Sequence, residues 1–475
     1  MNAPGAPKPA LRVVDAVLIT AGIVVGAGIF KTPASVADLA GSPEWMLLAW
    51  LAGGLLSLVG ALCYAELAST FPSAGGDYHF LRRAYGRDVS FLFAWARVTV
   101  ITSGSIALLA FVFGEYATRV LALGPASETV YAAGVVLLLT AVNLAGLRAS
   151  SRVQNVLTVV ELGGLALVIV VGLVLGLAVA GPGVTAASGA AGVAGGVEGA
   201  VAGAAAPGAA QPWGGVPAML GLMMVFVLLT YGGWNEAAYV SAEVRGGPRA
   251  IVRTLLYALL LITVVYVLAV YAMYAALGLD GLAGSGAPAA DVLERAFGPA
   301  GAQVIGFVVA VAALTSMNAT MIVGARTNFA LGVDWPRLRR LGAWDEARNL
   351  PRVGFLVQGF ISLALVGVGS FERDGFAAMV EFTAPVFWAF FLLTGISVFV
   401  LRLREPDAPR PFRVPLYPLT PLVFCATCAY LLWSSLTYAQ SRNATAVALC
   451  VIAAGLVAWA VLRLLSREPA REGGG

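Results

Sequence analysis

The chain has 475 residues, of which 60% are hydrophobic and only 11% charged, with a formal net charge of +4. Its mean hydropathy is +0.88. A water-soluble domain carries roughly 25% charged residues, so this composition excludes one, and the small basic excess gives no reason to expect nucleic acid as a partner.

A bilayer core roughly 30 Å thick takes about 20 apolar residues per helix, and runs of that kind recur along the whole sequence. The leader MNAPGAPKPALRVVD is short and no small-residue cleavage site follows it, so the first apolar run is expected to stay as a span. Apolar runs set against charged breaks predict about twelve spans. They centre near Val24, Leu56, Ile106, Val136, Val168, Val227, Val264, Val311, Ile361, Phe391, Thr427 and Gly455. With a cytoplasmic N-terminus, the inside segments would hold 22 basic residues, clustered at Arg82–Arg87, Arg337–Arg352 and Arg402–Arg413 among others. The opposite segments would hold 5: Lys31, Arg119, Arg295, Arg373 and Arg442. The positive-inside rule therefore orients both termini to the cytoplasm, as a multi-pass protein of the plasma (cytoplasmic) membrane. Between Gly181 and Gln211 runs an Ala/Gly-rich tract whose one charge is Glu198. It is expected to be an external loop without a function of its own.

The four cysteines, Cys63, Cys425, Cys428 and Cys450, fall in apolar runs. Cys425 and Cys428 are one helical turn apart, but no second Cys/His pair stands near them, so they read as core residues and no metal site is expected. The single histidine, His79, is read as a loop residue.

Two spans are interrupted. The first reads DAVLITAGIVVGAGIFKTPASVA, with Gly26, Ala27 and Gly28 at mid-depth; the sixth reads LGLMMVFVLLTYGGWNEAAYVSAEV, with Gly232 and Gly233 at the matching place. Glycine inside a helix costs about 1 kcal/mol relative to Ala, and lipid offers nothing to unpaired backbone groups. A break at that depth is tolerated only where the freed groups face a cavity or ligand. Close helix packing is the competing explanation for such glycines. Spans one and six open two potential five-helix halves, and breaks at matching positions in two halves point to an inverted-repeat transporter with a midplane site. The chemistry suits a zwitterion. Amides at Gly26–Gly28, aided by a half-helix dipole, can hold a carboxylate, while carbonyls around Leu229–Tyr231 can accept from an ammonium group.

At these residues the sequence resembles the amino acid–polyamine–organocation superfamily, most closely its L-type amino acid transporter branch. GAGIFKTP is similar to the first-helix motif, and YAELASTFPSAGGDYHFLRRAYG at Tyr64–Gly86 to the second-helix and loop signature. YGGWNEAAYVSAEV at Tyr231–Val244 resembles the sixth-helix motif, and LRLREPDAPRPFRVPLYPLTP at Leu401–Pro421 the segment before helix eleven. The resemblance implies an all-α membrane protein of about 12 transmembrane helices, with a five-plus-five inverted repeat (LeuT-like) and two added helices. The chain would be one polytopic domain, with repeats at 16–180 and 213–401, the loop 181–212 between them and the added helices at 415–464. It implies a secondary transporter of amino acids, most simply neutral ones, working by alternating access as symporter or exchanger. Carried over by position, Gly26, Ala27 and Gly28 would bind the substrate carboxylate. Leu229 and Thr230 would offer carbonyls to its amine, with Tyr231 at the cavity edge and Gly233 giving room for close approach. Leu229 stands where relatives often carry an aromatic gate.

Relatives often have a lysine in the fifth helix where QNVLTVVEL places Glu161. An ionisable group at membrane depth is a functional candidate by default. Glu161 is thus a candidate site for a proton or sodium ion, with a structural partner as the competing reading. Ala312, Thr315 and Ser316 of the eighth span resemble the sodium-site contribution of that helix in related transporters, although Ser and Thr also serve as packing glue. Arg97, Glu115 and Glu381 are weaker candidates; Glu66 and Arg326 fall towards cytoplasmic ends. No cofactor motif and no nucleophile–base set is present, so an enzyme is not expected. The alternatives are an amino-acid sensor on the same scaffold, disfavoured by the short tails, and a cationic amino acid or polyamine transporter.

Overall fold

The computed structural model describes residues 24–73, 75–179, 216–236, 246–345, 350–371, 375–441 and 444–466, with Val13, Val17, Thr20, Ala21 and Arg348. The Ala/Gly-rich tract at 181–212 lies outside the described residues, as does the side chain of Glu381. Among the described residues fourteen helices follow in chain order. They are α1 (Gly28–Ala40), α2 (Pro43–Thr70), α3 (Asp77–Tyr85) and α4, which runs Arg87–Ala96, a π-helical turn Arg97–Ile101, and Thr102–Val120. Next come α5 (Ser127–Ala145), α6 (Leu147–Val179), α7 (Val216–Thr230), α8 (Pro248–Ala283) and α9 (Pro288–Phe297). The last are α10 (Pro299–Asp334), α11 (Arg352–Gly369), α12 (Gly375–Arg404), α13 (Leu419–Ser441) and α14 (Ala444–Ser466). Among the described residues the only extended pairing is a single bridge between Asp345 and Leu350.

Nine of these helices are long and apolar enough to cross a bilayer: α2, α4, α5, α6, α8, α10, α11, α12 and α13. Three further apolar pieces are shorter. They are α1, α7 with 15 residues, and Cys450–Leu464 within α14. The outer faces suit lipid, with Leu137 and Leu138 of α5, Leu260 and Val264 of α8 and Phe360 of α11 all exposed. In water such a continuous apolar surface would drive aggregation.

The interior is built by close approach. Helix α2 starts cleanly, with Ser42 Oγ accepting from the Trp45 amide at 3.3 Å and Pro43 in the first turn. It then presents glycines inward. A Cβ on Gly53 would strike Val227 of α7, one on Gly54 would strike Thr263 of α8, and one on Gly60 would meet Phe424 and Trp234. Small residues here let three helices share one contact line, as in membrane bundles generally.

Charged side chains gather at one end of the bundle. Glu66 takes a bidentate bond from Arg402 (2.7 and 2.5 Å) and one from the Val414 amide (2.6 Å). Arg83 holds Glu405 bidentately, and Arg82 and Tyr78 hold Asp334. These bonds pin α3 against the ends of α10 and α12. His79, expected in a loop, lies within helix α3.

Candidate functional site

In the first span Thr20, Ala21 and Val24 are helical, Val25–Gly26–Ala27 are not, and the helix resumes as α1 at Gly28. After the break the bonding is short-range, from the Ile29 amide to Gly26 O (3.3 Å) and from the Phe30 amide to Ala27 O (3.2 Å). The Gly28 amide donates to no backbone carbonyl among the described residues. It is one of the orphan donors that every helix N-terminus presents. The sixth span mirrors this arrangement. Helix α7 ends at Thr230, Tyr231–Gly233 turn, and a 3-10 turn follows at Trp234–Glu236. Gly233 sits at φ +100°, a conformation that side chains with a Cβ rarely adopt.

The two breaks touch. A Cβ on Gly28 would lie 3.4 Å from Thr230 Cγ2, and the Thr230 hydroxyl shares a 3.0 Å hydrogen bond with Thr32 of α1. Tyr266 of α8 ties them together. Its hydroxyl is 2.7 Å from the Val24 carbonyl and 3.3 Å from the Thr230 carbonyl. The Tyr266 ring is fully buried against Trp50 and Tyr231.

A cavity of about 230 Å³ opens directly on these breaks. Gly26, Ala27 and Gly28 form one wall and Leu229, Thr230, Gly232 and Gly233 the facing one. Helices α4, α10 and α12 close it with hydroxyls (Thr102, Ser105, Ser316, Thr320 and Thr383) and with apolar side chains such as Leu108, Val112 and Phe387, and Phe226 of α7 joins them. The three charged side chains on its lining, Asp77, Arg97 and Glu236, are clustered, with Arg97 2.7 Å from Glu236 and 3.9 Å from Asp77.

The model of the amino acid permease family matches residues 11–460. The chain belongs to that family. The permease is accordingly an integral multi-pass membrane protein, and its activity is amino acid transport. It is 30% identical over 433 residues to "Large neutral amino acids transporter small subunit 2" of Mus musculus and of Homo sapiens, covering 90% of this chain and 76% of each relative. It is 27% identical over 409 residues to "b(0,+)-type amino acid transporter 1" of Homo sapiens, covering 85% of this chain and 78% of that one.

The residues expected at the site fall in different places in the permease. Six of them, Gly26, Ala27, Gly28, Leu229, Thr230 and Gly233, line the cavity. Tyr231 instead points into the protein, where its hydroxyl donates to Trp50 O at 3.0 Å. Of the eighth-span set, Ser316 of α10 reaches the wall beside Gly26, and its hydroxyl has no hydrogen-bond partner among the described residues. Ala312 and Thr315 are fully buried behind it. Glu161 of α6 is also fully buried, and neither carboxylate oxygen finds a well-formed hydrogen bond among the described residues. Thr315 is its polar neighbour, but that hydroxyl already gives its proton to Val311 O at 2.9 Å. Tyr266 is a second neighbour of Glu161. Glu115 pairs with Lys31 at 2.5 Å.

Two features escaped the sequence reading. Tyr266 was one tyrosine among 14. The Arg97–Glu236 pair joins residues 139 apart in sequence. The π-helical turn Arg97–Ile101 that carries Arg97 is sealed by the hydroxyls of Thr102 and Ser103, bonded to the carbonyls of Arg97 and Val98. Such π-turns are rare and recur at functional sites.

Proposed function

We propose that the permease carries neutral amino acids by alternating access, holding each substrate by its α-amino and α-carboxylate groups between the two broken spans. The observation that carries this reading is the facing of two interrupted helices across one cavity. The amides of the Gly26–Gly28 break, with that of Gly28 free of any backbone carbonyl among the described residues, are matched to the carboxylate. Carbonyls at Leu229 and Thr230, each keeping a second lone pair, are matched to the ammonium. The lining supports a neutral substrate. Hydroxyls and apolar groups surround the breaks, and the three cavity charges are engaged with one another. The relatives' names, which include large neutral amino acids, support the same substrate class.

The finer architecture belongs to the same proposal. Counting the shorter apolar pieces, we assign about twelve spans as two inverted five-helix repeats (16–180 and 213–401) and two added helices (415–464). The charge asymmetry supports a plasma-membrane protein with both termini cytoplasmic. Glu161, with Ala312, Thr315 and Ser316, is the proposed site for a coupling sodium ion or proton, because a carboxyl so deeply buried requires a cation or a proton to offset its charge.

A counterflow competition panel on the purified permease in liposomes tests the substrate class. Alanine, serine and leucine are expected to compete for one site. Transport of arginine or a polyamine, with those three failing to compete, would overturn the neutral assignment.

A further inference from the structure

We propose that Asp77, Arg97 and Glu236 form a proton-binding site on the transport path, in which Arg97 exchanges one carboxylate partner for the other as the permease changes state. The inference rests on the transporter reading above and names a coupling site distinct from Glu161.

The cluster combines three separate parts of the chain. Asp77 opens α3, Arg97 stands in the π-turn of α4, and Glu236 ends the 3-10 turn after the sixth-span break. All three line the cavity that the breaks face, so a proton bound there shares the compartment with the substrate. Glu161, by contrast, lies behind the wall.

One guanidinium serves two carboxylates, unequally. Arg97 is 2.7 Å from Glu236 and 3.9 Å from Asp77. Arg97 and Asp77 are almost wholly buried, with side-chain exposures of 6% and 3%. A buried carboxylate is costly unless its charge is offset. Asp77 is also faced by the Tyr64 hydroxyl from α2 and the Asn235 side chain, with Glu236 adding repulsion. Tyr78 and Arg82, further along α3, are engaged by Asp334. Burial pushes the Asp77 carboxyl up to about 6, even with Arg97 pulling it down.

The consequence is an alternation. While Glu236 holds Arg97, Asp77 takes a proton from the cavity and becomes the neutral acid. When the segment bearing Glu236 moves away, Arg97 turns to Asp77, the carboxylate is stabilised and the same proton leaves on the other side. One proton is bound and one released per cycle, and no other co-reactant is needed. A carboxylate beside a guanidinium loses proton affinity, and one left to desolvation gains it.

The test uses the full-length permease in liposomes containing a trapped pH dye. Labelled amino acid exchange and substrate-induced internal acidification are measured side by side. The wild type is expected to acidify the lumen, and to accumulate substrate up to roughly tenfold per unit of inward pH gradient, for one proton per substrate. Asp77→Asn is expected to bring the proton-to-substrate ratio close to zero while slower exchange continues. Glu236→Gln, a milder change at a partly exposed side chain, frees Arg97 for Asp77 and is expected to abolish acidification as well. Wild-type exchange without acidification overturns the proposal and leaves the transporter reading standing. Acidification that persists in both Asp77→Asn and Glu236→Gln, or that vanishes only in Glu161→Gln, overturns it too. A wild type that neither exchanges nor accumulates amino acids overturns both readings.

Discussion

The Tyr266 hydroxyl donates to the Val24 carbonyl at 2.7 Å, so a residue of α8 closes the gap left in the first span. The same oxygen is 3.3 Å from the Thr230 carbonyl, and one proton thus serves both breaks. Removing the hydroxyl leaves two buried carbonyls short of a donor, at about 1–3 kcal/mol for an unsatisfied buried group. Tyr266→Phe keeps the ring contacts with Trp50 and Tyr231 and is expected to fold. Its substrate affinity, measured by binding to purified protein, should fall roughly tenfold. Unchanged affinity would show that the bridge does not position the breaks.

Gly26 and Ser316 give a second, separable expectation. A Cβ at Gly26 would run into the Ser316 hydroxyl, which must rotate to admit it. Gly26→Ala should therefore lose both thermal stability and substrate binding. Adding Ser316→Ala removes the obstacle and should restore the melting temperature of the single variant, but not binding. Recovery of both together would make Gly26 a packing residue only.

How much of this was legible in the sequence depended on the range of the interactions. The spans follow from apolar run length, which is a local property, and the breaks from glycines placed where a lipid-buried helix should not have them. Gly26–Gly28 and Gly232–Gly233 could therefore be singled out, and they do meet across one cavity. Tyr231 was legible as a residue at the break but not in its direction, because the turn that rotates its ring toward Trp50 is set by packing on α2. Arg97 stood out as a charge in an apolar run. Its partners Asp77 and Glu236 did not, since no sequence pattern joins a loop-helix start, a π-turn and the end of a broken span.

Glu161 is expected to matter for ion-driven uptake more than for exchange, because exchange requires no net ion movement. Glu161→Gln should reduce sodium-stimulated uptake at least fivefold while exchange falls less than twofold, a gap of at least about 0.5 kcal/mol. Both activities are read in the same liposomes with and without external sodium. Equal losses, or wild-type uptake indifferent to sodium, would return Glu161 to a structural role.

The polar end of the bundle supplies a stability contrast. Glu66 is buried and receives Arg402 bidentately together with the Val414 amide. Glu66→Ala is expected to cost roughly 3 kcal/mol, because it strands a guanidinium built to be paired. Arg83 and Glu405 form an equally short pair in solvent, and Arg83→Ala should cost about 1 kcal/mol or less. Melting curves of the two variants in detergent would separate the cases, and equal shifts would contradict the burial argument.

The central claim is that the substrate carboxylate sits on the amides of the first-span break. Gly28 tests it most directly. A Cβ there meets only ordinary contacts, at 3.4 Å or more from Thr230, so a larger side chain should intrude on the cavity without wrecking the fold. The measurement is leucine counterflow by Gly28→Val against wild type, at equal amounts of folded, reconstituted protein. The expected result is robust counterflow by the wild type and a loss of at least tenfold in the variant, of order 1.4 kcal/mol in binding. Near-normal counterflow by Gly28→Val would place the carboxylate elsewhere and contradict the account.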